Sequence, residues 1–484
     1  MAGLASQAAV LAVARILNYG LLLLSPIVLA RLLSVEDFGR YREFLVYAGL
    51  LNTLAVFTFS ESLLYFIPRY AASPSRVVRQ NLVLTALASS IVVAVLVVLD
   101  LALGGALVGE YLLPLALYTL LFANFDCWES FFIATRRSGI VFAYSIARLT
   151  VRMTAVITVA AITRDVRLII WSLIAVEALR FVIALLLWRF YDRAREEPEI
   201  PDLWREQLRF CMPTGLGALL QAASGSLARI VVVKMLGHAA LARYTVGTYI
   251  DPIILSVRNS ITSVVLPEMV RRAGASAPLA LWHRAIVLNT VLLFPVAALV
   301  LRFAEPLVTV VFGPDYRDAA VVLQIAMLIL LRECFDFAPP LRAINRTLPF
   351  MQSNLLALTV CAGGLVLLLP EYGIAGAVTA VAIARVSDAI YLAWQVRRVR
   401  GVTLAQLLDW KALGKVALSA IIASAVIAGP FWTEWFGAPG VLLAGVAYLA
   451  TYALLLAALR VAELHVLLAG MRQIAHAMLP SARG

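Results

Sequence analysis

The amino-acid sequence predicts an all-α protein that crosses a membrane many times. Its 484 residues are 63% hydrophobic and only 14% charged, whereas soluble domains are about one quarter charged. Apolar stretches of roughly 20 residues, the length that a bilayer core requires, recur along the whole chain. The short alternating segments typical of membrane β-barrels do not occur in the sequence, so helices are the expected elements.

The apolar stretches define about 14 predicted spans. Their approximate bounds are 8–30, 41–67, 77–99, 111–134, 140–162, 168–190, 208–233, 244–267, 283–301, 319–338, 353–370, 373–396, 412–432 and 438–459. Prolines such as Pro114 and Pro295 are compatible with these spans because membrane bundles tolerate kinks. No Lys or Arg precedes Arg15. A cleavable signal peptide begins with a basic region, so we expect the first span to be retained.

Positive charge predicts the orientation of the spans, since cytoplasmic loops carry an excess of Lys and Arg. The clearest contrast is between Arg76, in the loop 73–76, and Asp100, before the loop 103–108. We therefore expect both termini to be cytoplasmic, and the loops 103–108 and 371–373 to lie outside.

Composition excludes several other classes of protein. The net charge of +12 is spread among the loops, which argues against a nucleic-acid partner. The four cysteines lie in apolar runs, where no disulfide is expected, and the four histidines have no metal-ligand spacing. No nucleotide-binding motif or nucleophile elbow occurs. We therefore expect no cofactor, no metal and no enzymatic activity, with energy coming from an ion gradient or from downhill export.

The chain contains an internal repeat of six spans. Arg31-Leu-Leu-Ser after the first span corresponds to Lys234-Met-Leu-Gly after the seventh, and Arg180 corresponds to Arg385 at nearly the same offset. A third pair is Asp126-Cys-Trp-Glu129 and Glu333-Cys-Phe-Asp336. Six spans per repeat is an even number, which predicts parallel repeats about an axis along the membrane normal.

The repeat divides the chain into four predicted regions. They are an N-terminal lobe at 1–193, a cytoplasmic linker at 194–207, a C-terminal lobe at 208–400, and two additional helices with a cytoplasmic tail at 401–484. The linker contains both signs of charge and the prolines Pro198 and Pro201.

Three segments resemble those of bacterial polysaccharide transporters and O-antigen flippases. They are Leu29-Ala-Arg-Leu-Leu-Ser-Val-Glu-Asp-Phe-Gly-Arg-Tyr41, Pro213-Thr-Gly-Leu-Gly217 and Glu305-Pro-Leu-Val-Thr-Val-Val-Phe-Gly-Pro-Asp-Tyr316. This family belongs to the multidrug/oligosaccharidyl-lipid/polysaccharide (MOP) exporter superfamily, and the resemblance covers about residues 5–400.

The resemblance implies two lobes in a V, alternating access, and translocation of an undecaprenyl-pyrophosphate-linked oligosaccharide to the outer leaflet. It also implies a multi-pass protein of the bacterial inner membrane. We expect a monomer that contacts membrane lipids and works beside a polysaccharide polymerase and glycosyltransferases. Two alternatives stay open: a cation-coupled multidrug exporter of the same superfamily, and a non-transporting membrane subunit of a polysaccharide synthase.

Charged residues inside the predicted spans are the candidate site. The arginines are Arg15, Arg148, Arg152, Arg180, Arg229, Arg258, Arg332 and Arg385, and the acids are Glu61, Asp126, Glu129, Glu177, Asp251, Glu333, Asp336 and Asp388. A central arginine costs roughly 2.5–3.5 kcal/mol on insertion scales, so most of these side chains must face the protein interior. Arginine suits pyrophosphate because its planar fork binds such oxygens bidentately.

Helical spacing and hairpin geometry sort these charges into pairs and candidates. Glu177 with Arg180, and Arg385 with Asp388, are spaced to pair on single helices. Asp126 and Arg148 lie at equal distances from a hairpin, which favours an ion pair across it.

Arginines without an obvious acid partner are the predicted pyrophosphate contacts. Arg15, Arg152 and Arg258 are preferred, and Arg180 and Arg385 complete the predicted cavity.

The two acidic motifs are predicted to place carboxylates side by side, because positions i and i+3 share one face of a helix. Asp126 and Glu129 have Arg148 opposite, whereas the span opposite Glu333 and Asp336 is uncharged. A buried carboxylate without a partner tends to hold a proton or a cation. The second motif is therefore the candidate site for proton or Na⁺ coupling, and an arginine from another helix is the structural alternative.

Overall fold

The computed structural model describes residues 24–461, except 136, 193–196, 272–277, 345, 347, 428 and 430. Within these ranges the chain is helical and contains no β-strand. Ten helices of the described part are long and apolar enough to cross a membrane. The protein is therefore an all-α polytopic membrane protein, as the composition predicts.

The chain packs as two compact units, Met1–Ala242 and Arg243–Gly484. Helix α1 covers 24–32 in the described part of the first unit. The helices that follow are α2 Val35–Val56, α3 Phe59–Arg69, α4 Pro74–Ala102, α5 Leu112–Ala123, α6 Trp128–Ala134, α7 Ser138–Thr163, α8 Val166–Asp192 and α9 Leu203–Leu236. Helix α2 packs against α4, α5, α8 and α9, so it is central to this unit.

The second unit begins within the short helix α10, His238–Gly247. Its helices are α11 Asp251–Arg271, α12 Pro278–Phe312, α13 Ala319–Glu333, α14 Ala338–Arg342, α15 Leu348–Arg400, α16 Leu404–Leu407, α17 Trp410–Ser424 and α18 Phe431–Ala458. Helix α12 contacts α11, α13, α17 and α18 and carries the buried Trp282. Tyr452 of α18 donates a hydrogen bond to the Val291 carbonyl of α12, at 3.1 Å, which fixes α18 to this unit.

Some predicted spans match the helices and others differ in form. Helix α15 consists of two helices joined at Gly373, where φ is 54° and ψ is −134°, and the predicted spans 353–370 and 373–396 lie on either side of this residue. A Cβ atom at Gly364 would lie 2.9 Å from the Ala380 Cβ, which is impossible along one straight helix, so the two helices fold back on each other. The span 319–338 is interrupted, because α13 ends at Glu333. Most of the span 8–30 lies outside the described residues. The count of 14 spans therefore stays a prediction.

The described part of the predicted linker is held on the first unit. The Glu197 carboxylate accepts the backbone N–H groups of Ser75 (3.2 Å) and Arg76 (3.0 Å) at the start of α4, where free N–H groups favour an anion. Tyr70 donates its hydroxyl to Glu206 at 2.6 Å, and this bond raises the pKa of the Tyr70 phenol. The division into lobes at 1–193 and 208–400, with the linker at 194–207 between them, stays a prediction.

The predicted orientation can be tested with single cysteines, because all four native cysteines are buried and free. Ala106 and Ala72 are both exposed, in loops predicted to lie outside and inside. With intact cells and an impermeant thiol reagent, we expect Ala106→Cys to be labelled and Ala72→Cys to be labelled only after lysis. Labelling of Ala72→Cys in intact cells would contradict the topology.

Candidate functional site

The two acidic motifs mark breaks in helices. Helix α5 ends at Ala123 and α6 begins at Trp128, with Phe125 in the left-handed region at φ 61°. In the second unit, α13 ends at Glu333 and α14 begins at Ala338. The prediction that each motif holds two carboxylates on one face of a continuous helix is therefore wrong.

Arg180 of α8 stabilises the break in the first unit. Its guanidinium donates to the carbonyls of Leu121 (2.7 Å) and Phe122 (2.8 Å), which the end of α5 leaves without helical partners. It also donates to the carbonyl of Phe125 in the break, at 3.2 Å. It also forms the predicted ion pair with Glu177, at 2.6 Å. Because these contacts occupy its donors and the side chain is 8% exposed, Arg180 does not fit the predicted role of a pyrophosphate contact.

A network of four charges extends from this break through the first unit. Arg148 of α7 pairs with Asp126 at 2.8 Å, the pair that the hairpin geometry predicts. Arg148 also lies 4.0 Å from Glu177, which pairs with Arg180. Two acids and two bases thus alternate, and the sum of their charges is zero. Such a network removes most of the cost of burying each charge alone.

Arg152 lies one turn beyond Arg148 on α7 and is outside this network. It is half-buried, and its guanidinium forms no ion pair or hydrogen bond within the described ranges of the chain. The phenols of Tyr118 and Tyr41, which are both buried, and the Glu177 carboxylate are within its electrostatic reach. The arrangement therefore provides a cation without an ion-pair partner in the described chain, beside two hydroxyl groups.

Arg229 of α9 is a second arginine of the first unit, which the sequence places within a span but does not single out as a pyrophosphate contact. Its Nε atom is buried and has no hydrogen-bond partner among the residues that the structure describes.

Glu129 lies on α6, half-buried, and forms no ion pair within 4 Å in the described part of the chain. Arg15 lies outside the described residues.

The second unit contains a matching network of four charges. Glu333 pairs with Arg258 of α11 and, at 3.0 Å, with Arg332. Arg332 also pairs with Asp388 of α15. All but Arg258 are less than 10% exposed, and Arg258 is 20% exposed. Here too, two acids and two bases alternate, with Arg332 at the centre.

This network corrects three predictions for the second unit. Glu333 is not without a partner, because an arginine from another helix reaches it, as the structural alternative supposed. Arg258 is engaged with that acid and so loses its place as a preferred pyrophosphate contact. Asp388 pairs with Arg332 and not with Arg385. The Arg385 side chain forms no ion pair in the described ranges.

Asp336 differs from the other acids because its hydrogen-bond partners are neutral. Its carboxylate accepts from the Thr262 hydroxyl at 3.1 Å and from the Ala338 N–H at 2.9 Å. The Trp282 indole donates to the Asp336 carbonyl at 2.7 Å. No cation lies within ion-pair distance in the part of the chain that is described, although Arg332 is within electrostatic reach. Asp336 thus has no cation within ion-pair distance among the described residues, which is the property expected of a coupling carboxylate.

Many apolar helices with charge networks between them form a polytopic membrane protein, and known proteins resemble it in sequence and in fold. A family model described as "Polysaccharide biosynthesis protein" matches residues 28–321, and the chain belongs to this family. No curated protein matches the sequence.

Solved structures show the same fold at low sequence identity. The lipid II flippase MurJ, in an inward closed conformation, has a TM-score of 0.65 at 13% identity, over 93% of this chain and 99% of that one. An inward-facing multidrug resistance MATE transporter has a TM-score of 0.58 at 13% identity, over 80% and 96%. A MOP superfamily transporter from Pyrococcus furiosus has a TM-score of 0.53 at 14% identity, over 82% and 96%. The chain thus shares the fold of these three proteins.

Proposed function

We propose that the protein flips an undecaprenyl-pyrophosphate-linked oligosaccharide, an O-antigen, capsule or exopolysaccharide repeat unit, from the inner to the outer leaflet by alternating access. The family is one of polysaccharide biosynthesis, and one protein of similar fold is a lipid II flippase. The observation that carries the proposal is Arg152, a half-buried cation with no acid of the described chain within ion-pair distance.

Arg152 would bind the pyrophosphate of the substrate. An arginine offers five N–H donors in a planar fork, and the diphosphate offers several charged acceptors. Hydrogen bonds that involve charged partners contribute about 1.5–3 kcal/mol each, so occupation by the anion would satisfy a cation that is otherwise costly to bury. The hydroxyls of Tyr41 and Tyr118 can donate to the same anion. Arg229 and Arg385 are further candidates within their own units.

The flippase function is tested by following the lipid-linked intermediate in a strain from which the gene is deleted. We expect the intermediate to accumulate in the inner leaflet and the surface glycan to disappear, with both effects reversed by the gene in trans. A surface glycan at the normal level in the deletion strain would reject the flippase function.

A multidrug exporter is the second candidate, since the chain also shares its fold with a multidrug resistance transporter. Its substrates would be organic cations, for which an uncompensated arginine is unfavourable. Sensitivity of the deletion strain to cationic drugs, without loss of glycan, would favour this function. A non-transporting subunit of a polysaccharide synthase is the third candidate. A strain that lacks such a subunit would lose polymer without accumulating the lipid-linked intermediate in the inner leaflet.

The proposed setting is the inner membrane of a bacterium, with both termini in the cytoplasm. The protein would act as a monomer, in contact with membrane lipids, beside the polymerase and glycosyltransferases that use its product. Coupling to protons or to Na⁺ would use Asp336, whose partners are neutral hydrogen-bond donors.

Replacing Asp336 by Asn tests the coupling role. If a proton or cation exchanges at this carboxylate, the variant should transport with a flattened dependence on pH or Na⁺ while keeping nearly normal substrate binding. Asp315→Asn, at an exposed acid of the same unit, is the matched control and should leave the dependence unchanged. A lower protein level with the same pH and Na⁺ profile would identify Asp336 as a structural residue only.

A further inference from the structure

The first unit contains a cleft that is separate from the charges within the helices. It has a volume of about 600 Å³ and lies where the starts of α2 and α5 meet the turn between α7 and α8. The predicted topology places all three of these segments on the outer side of the membrane. Ligand pockets typically have volumes of about 300–1,000 Å³, so the cleft has room for one or two sugar residues.

The charged side chains of the cleft have no net charge, and the ion pairs between them are exposed to water. Three arginines and three acids line it: Asp37, Arg40, Glu110, Arg164, Asp165 and Arg167. The Arg167–Glu110 pair is 3.0 Å long, with side chains 80% and 57% exposed. The Arg40–Asp37 pair is 3.7 Å long and also partly exposed. Pairs in contact with water contribute little, so both donors and acceptors are available to a ligand at low cost.

Two side chains of the cleft have no partner in the described ranges. Arg164 is exposed, and its guanidinium forms no ion pair or hydrogen bond there. Its backbone has φ 52°, a conformation that is unfavourable for a residue with a Cβ atom. Trp171 is 42% exposed, and its indole N–H donates no hydrogen bond within the same ranges. An aromatic face and a free cation are therefore directed to solvent in one cleft.

We propose that this cleft binds the saccharide portion of a lipid-linked glycan at the outer side. A sugar presents C–H groups that pack on an aromatic face, and hydroxyls that each donate and accept hydrogen bonds. Trp171 provides the face, the carboxylates of Asp37 and Glu110 accept, and Arg164 donates. The three positive and three negative charges cancel, which disfavours pyrophosphate as the ligand because an anion site requires an excess of cations.

The proposal rests on the flippase function and extends it to the released product. A saccharide bound at the outer end of the first unit would leave the proposed pyrophosphate site at Arg152 free. It would also oppose the return of the glycan to the inner leaflet. Specificity for the glycan would then depend partly on residues of the outer segments, and not only on residues within the helices.

Saturation-transfer difference NMR on the full-length protein in lipid nanodiscs tests the site. The probes are free galactose, N-acetylglucosamine and glucuronate, with inorganic pyrophosphate as competitor. We expect at least one sugar to receive saturation and pyrophosphate not to displace it. Trp171→Ala and Arg164→Gln should each weaken binding about threefold to tenfold, as expected for loss of one aromatic or one polar contact.

Matched variants separate this result from misfolding and from the proposed transport. Trp171→Phe should retain binding because it keeps an aromatic face. Trp394→Ala, at a tryptophan of α15 that is 47% exposed, should bind like the wild type. Arg152→Gln should also bind sugar normally, even where export is lost. Sugar binding without any glycan export by the wild type would reject the flippase function alone.

Three results would overturn the sugar site: no saturation of any probe, wild-type binding by Trp171→Ala, or displacement of the sugar by pyrophosphate. The last result would identify an anion site, as for a lipid headgroup.

Discussion

Replacing Arg152 with Gln should reduce glycan export at least tenfold at matched protein level. Glutamine keeps a polar side chain of similar length but removes the charge and the planar fork. Because a charge-assisted contact contributes about 1.5–3 kcal/mol, its loss corresponds to a change of roughly tenfold to more than a hundredfold. Accumulation of the lipid-linked intermediate in the inner leaflet is the measurement.

Stability and transport respond differently to this substitution if the proposed role is correct. Arg152 has no ion-pair partner in the described part of the chain, so its removal strands no buried acid and the protein level should stay near normal. Arg205→Gln is the matched control, since Arg205 is exposed and its interactions are an ion pair with Asp202 at 3.5 Å and a contact with the neighbouring Trp204 ring. Normal export by Arg152→Gln would show that this cation does not contact the pyrophosphate.

Hydropathy was sufficient to predict the fold class, because roughly 20 apolar residues have few options in a bilayer other than a helix. Three loose sequence segments and the repeat predicted the family, which the match to residues 28–321 confirms. The breaks within predicted spans were missed. The run 111–134 is apolar at 120–123, and Asn124 follows it directly. One asparagine changes the mean hydropathy of such a run too little to show that α5 ends at Ala123.

Tertiary contacts, which the local sequence does not encode, stabilise the first of these breaks. The carbonyls released at the end of α5 are satisfied by Arg180, from a helix distant in sequence. The break before α14 has a local signal in Pro339 and Pro340, which start that helix. Proline disfavours helical conformation in the residue before it, so this signal was available to sequence reasoning.

Ion pairs were predictable only where sequence fixed the relative depth of the two partners. Asp126 and Arg148 flank one hairpin at equal distances, and the pair is present. Arg258 and Glu333 lie on helices that are not consecutive, so no hairpin relates their depths. Arg332 is adjacent to Glu333 in sequence, and adjacent helical residues face different directions. At the end of α13 its long side chain nevertheless reaches both Glu333 and Asp388.

Arg332→Leu should be among the most destabilising single substitutions in the second unit. The side chain is 9% exposed and is the cation that neutralises Asp388, which is equally buried. Removing one partner of a buried pair typically costs about 3–5 kcal/mol because the other charge is left uncompensated. We expect a large loss of folded protein, measured as the thermal stability and yield of the detergent-solubilised protein.

The double variant Arg332→Leu/Asp388→Leu distinguishes a stranded charge from a packing defect. It removes both charges, while Glu333 keeps Arg258 as its partner, so most of the stability lost in Arg332→Leu should return. Replacing a buried pair by apolar residues is often neutral or stabilising, which is why recovery is expected despite two substitutions. If the double variant is as unstable as Arg332→Leu, the loss comes from packing around residue 332, and the network of the second unit does not depend on charge balance.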